Sequence, residues 1–379
     1  MKNKLASIVL VLMVALTFCN CEKNSDLLGN WRQLSSLNAR GRGGAACFVI
    51  DNKAYLVGGA GYYKTVEYYK ETWQFNPETR SWTEYASIDT SSSIKGRMNG
   101  AGFAINGKGY FGTGYGKDAT YFDDFYEFDP EGKTTIYRSV VQNGDTITKL
   151  DTLPGVWKAT DKFPGGKITG TISFAINNIG YVGTGYTKEL GASNTFYSYN
   201  PENADGKKWE RVENINATKR QNACVFIIDD IAYIFGGVNN NIGVEDFERF
   251  NPAEPKGDYR WFKVSQDLYD DYRRGSELLR QRAVSFSING RGYISCGTSS
   301  AGGTKNDTWE YIPFVGSDNR GEWIKVASFE GSNRYNACSF VVNNEAYILC
   351  GQNGASESSY YDDVWTFDPT QDYDEKKYK

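Results

Sequence analysis

Six near-copies of one hexapeptide constrain this chain more than any other feature. The first is Ile50-Asp51-Asn52-Lys53-Ala54-Tyr55. The others begin at Ile105, Ile176, Ile228, Ile288 and Val342 and end at Tyr110, Tyr181, Tyr233, Tyr293 and Tyr347. Each reads as a β-branched residue, two of Asn, Asp or Gly, any residue, Ala or Gly, then Tyr. Asn, Asp and Gly tolerate positive φ at both central positions, which a two-residue hairpin needs to match the twist of its strands. The pattern predicts six tight hairpins and an all-β chain built from one repeated unit.

Each hairpin sits in a longer unit. An arginine precedes it at a fixed distance from a phenylalanine: Arg42/Phe48, Arg97/Phe103, Arg220/Phe226, Arg280/Phe286 and Arg334/Phe340, with Ile168/Phe174 breaking the series. A strand ending at glycine follows, as at Gly58-Gly59 and Gly236-Gly237, and then a polar loop. A third strand ends in an aromatic, a turn residue and proline, as in Phe75-Asn76-Pro77 and Phe367-Asp368-Pro369. A tryptophan strand closes the unit at Trp82, Trp157, Trp209, Trp261 and Trp323.

The steps between hairpin tyrosines are 55, 71, 52, 60 and 54 residues, the scale of a four-stranded propeller blade. The glycine pair, the aromatic-Asn/Asp-Pro turn and the tryptophan beyond it resemble the kelch repeat over essentially the whole mature chain. The resemblance implies a six-bladed β-propeller with four antiparallel strands per blade. The sixth unit lacks its tryptophan strand, and Gly29-Asn30-Trp31-Arg32-Gln33-Leu34 is a tryptophan strand without a blade. The N-terminal strand is therefore expected to complete the last blade and close the ring, which removes exposed sheet edges. Two insertions interrupt the period: an extra hairpin about Asn143-Gly144, and Ser265–Arg280, where one or two helical turns are expected.

The N-terminus is a targeting segment. Lys2 and Lys4 precede an apolar run from Leu5 to Phe18, too short for an ordinary membrane span. Cys21 then precedes a polar stretch. This resembles a bacterial lipoprotein signal and implies lipidation at Cys21, with Cys19 or a plain secretory signal as alternatives. The expected layout is a signal peptide over 1–20, a tether over 21–27, one propeller over 28–370 and a polar tail over 371–379. The protein is then exported and lipid-anchored in the bacterial envelope, on the periplasmic side or at the cell surface. Five cysteines remain downstream, an odd number that makes no complete disulfide framework. They are expected as buried thiols, with a cross-strand Cys338–Cys350 bridge left open.

Function is first bounded by exclusion. The chain has no histidine, which removes the commonest metal ligand and the side chain that titrates near neutrality. Kelch proteins resembling the copper galactose oxidases need histidine ligands, so that activity is rejected. A net charge of −4 without a basic tract points away from nucleic acid. No metal site, cofactor or catalytic set is expected.

Strand order assigns the faces. With strands a to d running outward, the a–b hairpins share one face, and the d–a and b–c loops share the other. The second face receives Arg42, Arg97, Arg220, Arg280 and Arg334, together with loops that carry Tyr63, Tyr115, Tyr186 and Tyr360. Tyrosine with Ser and Asn is the mixture binding loops use, and converging guanidinium groups suit an anionic group. Each arginine can equally cap carbonyls or pair with loop acids such as Asp124 and Asp363. The expected function is a non-catalytic scaffold binding a glycan or an envelope protein on this face. The alternative is an enzyme similar to the exported sialic-acid mutarotases, for which Glu67, Glu189 and Glu245 are candidates by position only.

Overall fold

A computed structural model describes residues 27–88, 95–142, 145–257, 260–264, 277–315 and 320–372. The signal segment with Cys21, the turn at Asn143-Gly144, the insertion from 265 to 276 and the tail beyond 372 lie outside the described residues. The described residues form six four-stranded antiparallel sheets. Sheet one comprises Ala46–Ile50, Lys53–Val57, Thr72–Asn76 and Ser81–Tyr85. Sheet two comprises Ala101–Ile105, Lys108–Gly112, Phe125–Gln142 and Asp145–Ala159. Sheets three, four and five begin at Ile172, Cys224 and Val284 and follow the same order. Sheet six comprises Cys338–Val342, Glu345–Leu349 and Val364–Asp372, and its fourth strand is the N-terminal Leu28–Leu34. No sheet closes on itself; small open sheets of this kind fit a β-propeller.

All six hairpins adopt the expected turn. Residues 51–52, 106–107, 177–178, 229–230, 289–290 and 343–344 have φ between 46° and 73° at both positions. The tyrosine that ends each hexapeptide is buried and stacks on the phenylalanine opposite it. The six pairs, from Phe48–Tyr55 to Phe340–Tyr347, have interplanar angles of 8–20°. Such pairs add about 0.5–1.5 kcal/mol each beyond their area burial. The Ala/Gly position before each tyrosine now has a reason. A Cβ at Gly109 would enter the ring of Phe48, at Gly180 that of Phe103, and at Gly292 that of Phe226. The small residue lets one sheet nest against the aromatic of the sheet before it.

Two circuits of backbone hydrogen bonds tie the sheets together. In one, the amides of Gly44, Asn99, Gly170, Asn222, Arg282 and Asn336 each donate to the carbonyl of their counterpart in the preceding sheet. The bonds measure 2.7–3.1 Å, and Gly44 donates to Asn336. In the other, Gly59, Gly114, Gly185, Gly237, Gly297 and Gly351 donate to the carbonyls of Arg97, Ile168, Arg220, Arg280, Arg334 and Arg42, at 2.7–2.9 Å. These glycines have φ of 83–99°, which side chains rarely adopt. The innermost strands pack in the same succession, with Ala46–Ile50 against Cys338–Val342.

The outer tryptophans work between sheets. The indole Nε1 of Trp157, Trp209, Trp261 and Trp31 donates to the carbonyls of Ala86, Asp161, Glu213 and Ala327, all just beyond the outer strand of the preceding sheet. Trp31 is wholly buried, against Phe329 and Phe367. The extra hairpin is present as a ribbon from sheet two: Lys133–Gln142 pairs with Asp145–Pro154, and Arg138 bonds Glu84 of sheet one at 3.0 Å. The five described cysteines are free thiols. Register places Cys338 opposite Leu349 rather than Cys350.

Candidate functional site

The five arginines of the repeat are buried and not open on the loop face. Arg42, Arg97, Arg220 and Arg334 have no exposed surface and Arg280 only 2%. Their donors are spent inside their own sheets, except for the Nε of Arg97, which is buried without a partner. Arg334 donates to the carbonyls of Ser332 and Cys350 and to both carboxylate oxygens of Asp363. Arg280 serves Cys296, Leu278 and Asp307 in the same way. Arg97 holds Asp124, Arg220 holds Asp246, and Arg42 holds Glu71. The exception supports the rule: in sheet three, Ile168 replaces the arginine and Thr195 stands where the acid would be. The physical reason is desolvation, since a guanidinium under the loop face needs a fixed acid and carbonyls around it.

These acids resist protonation. Burial works against the charge of Asp124, Asp246 and Asp307. Hydrogen bonds and neighbouring charge, from Arg97 with Tyr126, Thr218 with Arg220, and Arg280 with Trp309, outweigh it and hold all three below the usual range. Stability from these pairs is present above the ordinary aspartate range and is lost as pH falls through their lowered values.

Sheet four departs from its fellows two residues beyond its acid. Trp73, Tyr126, Tyr197, Trp309 and Trp365 hold that position elsewhere, and Tyr126, Trp309 and Trp365 donate to the acid of the arginine pair. Here Glu248 occupies it, 2% exposed. Burial, with the charge of Asp246 adding, pushes Glu248 up to about 7, against Arg220 and Lys263. The folded chain therefore binds more protons than the unfolded one between about 4.5 and about 7, and stability falls as pH rises through that window. Glu248→Gln is expected to flatten this slope and to exceed the wild-type stability at pH 8 by on the order of 2–3 kcal/mol. Urea unfolding of both chains from pH 4 to 8 measures it, and parallel curves would exclude it.

What converges on one shared cavity is a different set. Gly44, Asn99, Gly170, Asn222, Arg282 and Asn336 border a cavity of about 110 Å³ on the loop face. The sequence at this tier reads Arg-Xaa-Asn/Gly in most sheets, as in Arg97-Met98-Asn99 and Arg220-Gln221-Asn222. Arg282 breaks that pattern, and this is the signal by which it could have been found. Its side chain is exposed, its guanidinium lies 5.8 Å from the ring of Tyr335, and it has no ion pair among the described residues.

Tyrosines surround this mouth. Tyr115 stands 6.0 Å from both Tyr68 and Tyr121, and Tyr121 is 6.5 Å from Tyr186. Gln352 joins Tyr335 and Tyr360 by donating to both hydroxyls, at 3.2 and 3.4 Å. Burial raises Tyr68, Tyr115, Tyr121 and Tyr360 above the ordinary tyrosine range, and at Tyr115 it does so against the charge of Arg282. They are neutral hydroxyl donors at physiological pH. Of the four expected loop tyrosines, Tyr115, Tyr186 and Tyr360 join this cluster. Tyr63 stands apart under the Arg40 guanidinium, 4.5 Å away. The candidate acids do not gather there: Glu67 is ion-paired with Arg40 at 2.7 Å, and Glu189 and Glu245 are exposed.

A family model of the Kelch motif matches residues 41–89. That segment contains Arg42, the first hexapeptide, the Gly58-Gly59 pair, the Phe75-Asn76-Pro77 turn and Trp82. With the all-β sheets it supports a kelch-repeat family, and a Kelch motif suggests an interaction or binding scaffold. No curated protein matches the chain. No described helix is long and apolar enough to cross a membrane.

Proposed function

We propose that the chain is a closed six-bladed kelch-type propeller, exported and lipid-anchored through Cys21, that acts as a non-catalytic scaffold binding a glycan or envelope protein on the face of the d–a and b–c loops. The observation that carries this reading is the axial mouth: half-buried tyrosines gathered around one exposed arginine without an acidic partner among the described residues. Rigid aromatic rings with polar tips give contact area at small entropic cost, and a central Arg is the usual companion of such anchors. The two hydrogen-bond circuits support ring closure, because the first returns to the residue from which it starts and the second to the sheet from which it starts.

The test is a glycan array probed with the wild-type chain and with a Tyr115→Ala/Arg282→Ala variant. The variant is expected to lose at least about tenfold in retention, the loss of one anchoring contact. Its urea midpoint should shift little, since each side chain reaches the neighbouring sheet only through a ring contact, Tyr115 with Tyr68 and Arg282 with Tyr335. Silence on the array, with cross-linking to an envelope protein through the same two positions, assigns a protein partner. Equal retention by both chains on every surface rejects this mouth as the binding site.

A further inference from the structure

We propose that a second site, a cleft between sheets one and two on the loop face, takes a carboxylate-bearing saccharide. The inference rests on the loop-face reading but, Tyr68 apart, concerns different residues from those of the axial mouth. The cleft has a volume of about 810 Å³, and Arg40, Lys70, Lys95, Lys117, Glu67 and Glu71 are its charged lining. Four basic and two acidic side chains thus gather on a chain whose net charge is −4. Both acids are engaged: Glu67 with Arg40 at 2.7 Å, and Glu71 with the buried Arg42 at 2.6 Å. Lys95 and Lys117 are exposed and have no ion pair among the described residues.

The aromatic wall carries a second observation. Trp309 and Trp365 donate their indole N–H to Asp307 and Asp363 at 2.6 and 2.8 Å. In sheet one the corresponding acid is Glu71, one methylene longer and turned to Arg42. The indole N–H of Trp73 is left buried without a partner at the cleft wall, as is the hydroxyl of Tyr69. Native structures rarely leave buried donors unpaired, and such groups call for an explanation. A hydroxyl-rich ligand or its ordered water supplies the acceptors.

The combination selects the ligand class. Aromatic faces suit the apolar face of a sugar ring, the lysines a carboxylate, and the carboxylate of Glu67 a sugar hydroxyl. A peptide rich in acids offers the lysines the same charge but neither a sugar-ring face for the aromatic wall nor hydroxyls for Glu67. Tyr68 belongs to both sites, lining the cleft and standing 6.0 Å from Tyr115 of the mouth. The cleft therefore adjoins the tyrosine cluster of the axial mouth.

Isothermal titration with a galacturonate tetramer and with its methyl ester tests this, because esterification removes the carboxylate charge and keeps the sugar rings and their hydroxyls. The acid is expected to bind about tenfold more tightly than the ester. A Lys95→Glu/Lys117→Glu variant, altered only at exposed side chains, should lose that preference while its melting temperature holds. Arg282→Ala should leave the preference in place. Equal affinity for acid and ester, an unchanged preference in the lysine variant, or no binding of the acid would each overturn the cleft site. If the preference disappears only with Arg282→Ala, the cleft is rejected and the axial reading stands. Binding of a poly-glutamate peptide in place of the saccharide would also overturn it.

Discussion

Arg334→Met is expected to cost about 3–5 kcal/mol, the penalty for breaking a buried ion pair from one side. Asp363 would lose both of its guanidinium contacts, and the carbonyls of Cys350 and Ser332 would lose their donor. Methionine fills much of the volume, so the loss reads the polar network and not a cavity. The urea midpoint measures it. A companion Arg334→Met/Asp363→Leu chain should recover a large part of the loss, because it leaves no uncompensated charge. A single variant within 1 kcal/mol of wild type, on the scale of an exposed pair, would show that the arginine is not a structural tie.

Deletion of residues 27–36 is expected to lower the stability of the whole array by more than about 5 kcal/mol, beyond the 3–5 kcal/mol typical of removing one buried tryptophan. The deleted strand supplies the outer edge of sheet six, paired from Leu28 to Leu34 with the strand ending at Asp372. It also clasps sheet five twice, through Trp31 Nε1 to Ala327 and through the Leu28 carbonyl to the Ala327 amide, at 2.9 and 2.8 Å. If the first and last sheets are locked in one circuit, amide exchange should accelerate in sheets five, six and one together. An unchanged melting midpoint after truncation, or faster exchange confined to the freed edge, would count against ring closure.

Much of the architecture was legible in the residues because backbone geometry enforces it. Paired positive φ at residues 51–52 and its five repeats admits few residue types, so the hairpins announced themselves. The displaced Trp31 likewise marked its own place in sheet six. The candidate site was legible only in part. The clustering of Tyr115, Tyr186 and Tyr360 follows from their loops, whereas Arg282 is an irregularity in a repeated tier and Lys95 and Lys117 carry no pattern in the repeat. The five repeated arginines misdirected the reading toward a ligand. Periodicity marks what every sheet needs, and a ligand contact is needed once.

The residue order by itself determined the unit, its six repetitions, the turn chemistry and the strand displaced to the N-terminus. Each is a local demand of φ, of side-chain alternation or of turn length, and local demands are written in neighbouring residues. The tertiary structure alone decided which charges are buried and which are free. Arg334 and Arg282 are both arginines beside the same loop face, yet one is wholly enclosed by carbonyls and Asp363 while the other stands exposed at the axis. That difference depends on desolvation by residues far away in the chain, brought near only when the sheets assemble.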